Sequence, residues 1–68
     1  MKTKLITMYE LLTKQSQALR EDARVYRQVS LLARAEALEL WAAKIEDSRD
    51  SLTDYQAHVQ TVRVPEGF

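Results

Sequence analysis

The sequence predicts an all-α fold: a small helical hairpin or short helical bundle, completed by homodimerisation. Three observations carry that expectation. Pro65 and Gly67 are the only proline and glycine, so more than sixty residues run without a strong helix breaker. Leu31, Ala35, Leu38, Trp41, Ala42, Ile45 and Leu52 recur at the three- and four-residue spacing of one helix face. A second apolar register steps by sevens through Leu5, Leu12, Leu19, Tyr26, Ala33 and Leu40, the pattern of a helix lying along another helix at a shallow angle.

Dimerisation enters through size. A chain of 68 residues forms at most one domain, 1–68, and buries only about 60% of the surface that its unfolded form exposes. Domains this small usually gain their stability from disulfides, a metal, oligomerisation or unusually good helix packing. The absence of cysteine excludes disulfides and thiolate zinc sites, and a single histidine excludes a histidine-rich metal centre. Self-association is the route left open.

The first residues, Met1 to Ile6, alternate weakly and are either extended or a ragged first turn. Thr7 and Glu10 form the spacing of a capping box, with Ile6 and Leu11 placed as a hydrophobic staple, so the first helix is expected over 7–29. Its heptad seam is impure, because Gln15, Ser16 and Asp22 fall near positions that a strong coiled coil fills with leucine. At 100° per residue the Leu31, Leu38, Ile45 stripe lies on the opposite side from Val25, Val29 and Leu32. The buried face therefore changes sides near Ser30. Either the helix breaks there, or one long helix meets two different neighbours. The second helix is expected over 31–47, ending in the turn-forming run Asp47 to Ser51, although it can also continue through Ser48. Ser51 and Asp54 offer a cap for a third helix over 51–61, and 62–68 reads as an extended tail ahead of Pro65.

Charge is balanced overall but not along the chain. Residues 1–34 hold seven basic and three acidic residues, and residues 35–68 hold three basic and seven acidic. Halves of opposite sign favour an antiparallel arrangement, within one chain or across a dimer. Such pairs add little to stability and more to register.

No residue set has the composition or spacing of a catalytic, metal, cofactor or phosphate site. Asp54 and His58 stand four residues apart, but no nucleophile or glycine-rich loop accompanies them, so the pair reads as ordinary helix surface and the chain as a non-enzyme. Arg20, Arg24, Arg27 and Arg34 share one side of a continuous helix, and this stripe either grips an acidic protein surface or phosphates, or pairs within the chain. Zero net charge and a near-neutral pI disfavour nucleic acid. With Tyr26 and Trp41, these arginines are the candidate partner-binding residues. Leu12, Leu19, Leu31, Leu38, Trp41, Ile45 and Leu52 are the candidate core or dimer residues. Trp41, the only tryptophan, is expected to anchor either the core or the main interface.

The segment Ala35-Glu36-Ala37-Leu38-Glu39-Leu40-Trp41-Ala42-Ala43-Lys44-Ile45-Glu46, with its arginine-rich lead-in, resembles the small helical proteins of bacteriophages and other mobile elements. Among them it is similar in size and character to the phage quorum-sensing anti-activators, which bind and disable a host transcription activator. The resemblance covers about a third of the chain, and no functional residue is carried over from it. It implies a homodimer that binds a host regulatory protein. Three functions are thus set against one another: a helical inhibitor or modulator of another protein, a DNA-binding regulator using the basic stripe, and a structural or assembly component. The chain shows no secretory signal or membrane-length apolar run, so the expected compartment is the cytoplasm.

Overall fold

The computed structural model describes residues 2–68, so the Met1 end of the first segment lies outside the described residues. In chain order the elements are β1 (Thr3–Thr7), α1 (Met8–Gln28), α2 (Leu32–Asp50), a single π-helical turn (Tyr55–Val59) and β2 (Thr61–Pro65). The two long helices form the expected hairpin. The fold is not purely all-α, however, because β1 and β2 pair as an antiparallel two-stranded sheet, with Ile6 opposite Val62 and Lys4 opposite Val64. These four residues share the inner face of the sheet, where Ile6 and Val64 are buried with Ala57 of the π turn, while Leu5 and Arg63 face outward. Of the Met1 to Ile6 stretch, Thr3 to Ile6 resolves as strand. Within the 62–68 tail, residues 62–65 are extended as expected but paired with β1, and 66–68 turn back, the Phe68 N–H donating to the Pro65 carbonyl at 2.9 Å.

Thr7 caps α1, its hydroxyl accepting from the Glu10 N–H at 3.1 Å. Glu10 itself turns to Lys14, 3.7 Å away. The helix breaks near Ser30. The Ser30 N–H donates to the Arg27 carbonyl and the Leu31 N–H to the Tyr26 carbonyl at 2.8 Å, a Schellman closure with Ser30 in the left-handed region at φ 64°. Leu31 consequently caps α2 rather than lying inside it, and it offers no side-chain hydrogen bond there. A non-glycine residue in the left-handed region costs roughly 1 kcal/mol or more. Replacing Ser30 with glycine is expected to stabilise the fold by about 1 kcal/mol, raising the thermal midpoint by about 4–8 °C. An unchanged or lower midpoint in a calorimetric scan would contradict the strain assigned to Ser30.

At its other end α2 runs to Asp50, past the expected stop at 47. Arg49 explains the extension: its guanidinium lies 5.0 Å from the Tyr9 ring and donates to Thr13 Oγ1 at 3.2 Å, contacts that reward one more helical turn. The third helix shrinks to the π turn over 55–59, and its cap is not Ser51 with Asp54. Thr53 and Gln56 form the reciprocal box instead: the Gln56 N–H donates to Thr53 Oγ1 at 3.2 Å, and the Thr53 N–H donates to Gln56 Oε1 at 3.1 Å.

The seam between α1 and α2 is built from small residues. Ser16 and Ala23 on α1, and Ala35 and Ala42 on α2, are each seven apart and almost wholly buried. Short side chains at heptad spacing let two helix backbones approach closely along their length. Ser16 satisfies its hydroxyl by donating to the Thr13 carbonyl at 2.9 Å. The polar residue that weakens the leucine heptad in the sequence is therefore a member of the true seam. The leucines expected as core are displaced to one side of it. The molecule is one helix layer thick, with extents of 40 × 31 × 10 Å.

Candidate functional site

The seam divides the helix layer into two unlike faces. On one, Arg20 Nε donates to Glu46 and Arg27 Nε to Glu39, each at 2.8 Å, and the second nitrogen of each guanidinium completes a bidentate fork. The two pairs sit one heptad apart on each helix, forward on α1 and backward on α2, which fixes the antiparallel register. The charge asymmetry between the halves is thus satisfied within one chain. The hydrogen bond from Arg27 holds Glu39 below the usual carboxylate range, and that from Arg20 does the same for Glu46; both arginines are raised in turn.

The sign of the resulting pH dependence follows from the lowered carboxylates. Their stabilising effect is complete above the ordinary glutamate range, about 4.3, and is lost as pH falls through the lower folded-state values. Urea unfolding of the wild type and of Glu39→Gln/Glu46→Gln is expected to differ at pH 7 and to converge as pH is taken below about 4. A difference that persists unchanged into acid would remove the ion pairs as its cause.

The other face is apolar. Measured around α1 from the Ser16–Ala23 line, Leu12, Leu19 and Tyr26 lie on the flank opposite Arg20 and Arg27. On α2, Leu38 and Ile45 lie opposite Glu39 and Glu46, with Leu52 continuing the row. All six are half-buried. Leu19, Ile45, Trp41 and Phe68, with Ala18 beside them, line an open groove of about 660 Å3 whose edge carries Lys14, Gln15 and Asp22. Phe68 is held there by Lys14, whose ammonium donates to the Phe68 carbonyl at 2.7 Å and lies 5.8 Å from its ring. Trp41 is 56% exposed, so it anchors no core within the single chain.

The candidate residues from the sequence are accordingly separated. Arg20 and Arg27 are engaged on the ion-paired face, Arg24 shares their side of α1, and Arg34 lies on the apolar face with its guanidinium 5.9 Å from the Tyr26 ring. No continuous basic stripe remains. Of the residues expected as core, Leu12, Leu19, Leu38, Ile45 and Leu52 are half-buried, while Leu31 is 45% exposed at the α2 cap. The His58 ring lies 5.6 Å from that of Tyr9, in a helical turn whose π spacing departs from the i, i+4 geometry assumed for Asp54 and His58. Phe68, Lys14 and Asp22 join the groove through tertiary contact.

Among the described residues no group of acidic, histidine or cysteine side chains could hold a metal ion, and no helix is long and apolar enough to cross a membrane. No buried side-chain polar atom among them lacks a partner. No protein-family model, curated protein or solved structure matches this chain.

Proposed function

We propose that this chain is a non-enzymatic interaction protein that binds another protein through its apolar helix face and thereby alters that protein's activity, in the manner of an inhibitor of a regulatory protein. The exposed indole of Trp41 over the Leu19–Ile45 groove is the observation that carries the reading. A large aromatic beside a concave apolar patch, edged by a few charges, is the usual composition of a binding hot spot. The ion-paired face has the opposite character. Its two bidentate forks already satisfy Arg20 and Arg27, so a phosphate backbone would have to compete with Glu46 and Glu39 for them.

Immobilised wild type and Trp41→Asp, each incubated with bacterial lysate with and without nuclease, test the reading. A protein held near stoichiometrically by the wild type, retained after nuclease and at raised salt, and released by Trp41→Asp is the expected result. Its purified form must then change activity when the wild type is added. Retention that nuclease abolishes would move the function to nucleic acid binding, whose affinity falls steeply with salt. Equal retention by both proteins would remove the apolar face from the account.

A further inference from the structure

We propose that in the free protein a second copy of this chain covers the apolar face, so that the two hairpins stack face to face as a four-helix bundle. This goes beyond the partner reading by naming the occupant of the face before any target arrives; a target presenting an apolar helical layer then takes that copy's place.

The thickness of the fold is the first argument. Domains bury their apolar faces between at least two packed layers, and this chain supplies one layer, 10 Å in its shortest extent. The rows Leu12, Leu19, Tyr26 and Leu38, Ile45 are each spaced by sevens, the repeat by which helices of a bundle interdigitate. Area is the second argument. A stable interface buries about 800 Å2 on each partner, and a layer 40 × 31 Å across is large enough to supply it from one face.

Purified protein alone gives the test, so its failure is distinguishable from failure to find a target. Sedimentation equilibrium between low micromolar and millimolar concentration is expected to show a monomer–dimer equilibrium, and Trp41 emission is expected to shift to the red on dilution as the indole meets water. Ile45→Lys, on the apolar face, should raise the dimer dissociation constant about tenfold or more, and Arg24→Ala, on the ion-paired side, should leave it unchanged. A monomer throughout the range overturns the proposal. A dimer that responds to Arg24→Ala and not to Ile45→Lys overturns its placement on the apolar face.

Discussion

Ala42→Leu is expected to destabilise the hairpin by about 2–3 kcal/mol, enough to remove most of the helical circular dichroism at 37 °C from a domain with only a few kcal/mol in hand. Ala42 has no exposed surface and stands in the seam where α1 and α2 meet through Ser16, Ala23 and Ala35. Three added carbon atoms have nowhere to go unless the helix axes separate. Separation would also stretch the Arg20–Glu46 and Arg27–Glu39 forks that lie on each side of it along the hairpin. Ala35→Leu should behave alike. Ala33→Leu is the control: Ala33 is exposed, and the same change there should alter stability by no more than about 0.5 kcal/mol. Equal urea midpoints for Ala42→Leu and Ala33→Leu would show that the seam is not set by small side chains.

Trp41→Ala is expected to leave the hairpin intact while weakening association by at least about 2 kcal/mol, roughly thirtyfold. In the single chain the indole is more than half exposed, so its truncation opens no enclosed cavity. Between two molecules it is the largest apolar side chain on the face. The two effects separate by concentration. At high protein concentration the helical signal of the variant should equal that of the wild type, and the concentration at which mass falls to that of a monomer should rise. Loss of helix at every concentration would return Trp41 to the core of the hairpin itself. The same variant bears on target binding, since the groove it empties is the one offered to a partner.

Local signals were legible in the sequence wherever the cause was local. Thr7 caps α1 as its spacing with Glu10 indicates. The reversal of the apolar face near Ser30 marks a real break, and the opposite charges of the two halves meet as antiparallel ion pairs. The Thr53–Gln56 box was equally present in the letters but was obscured by the neighbouring Ser51 and Asp54. Leucines recurring by sevens located a true row, yet they did not reveal which row forms the hairpin seam. Leucine and alanine registers run side by side on these helices, and only the approach of the second helix decides which of them is covered.

The sequence by itself determined where the first helix begins, that the buried face changes sides near Ser30, and that the halves attract. These depend on capping, breakers, periodicity and charge, all of which act over a few residues or through the sum of each half. Tertiary structure decided the rest. The pairing of Thr3–Thr7 with Thr61–Pro65 joins segments nearly sixty residues apart, and neither strand shows its partner in its own composition. The helix end at Asp50 was settled by Arg49 reaching Tyr9 across the seam, overriding the turn preference of its neighbours. Burial of Ser16, Ala23, Ala35 and Ala42 in place of the leucines followed from close backbone approach, which favours the smallest side chains in the middle and leaves the larger ones along one face. That displacement leaves Trp41 and its groove exposed on one side of the layer.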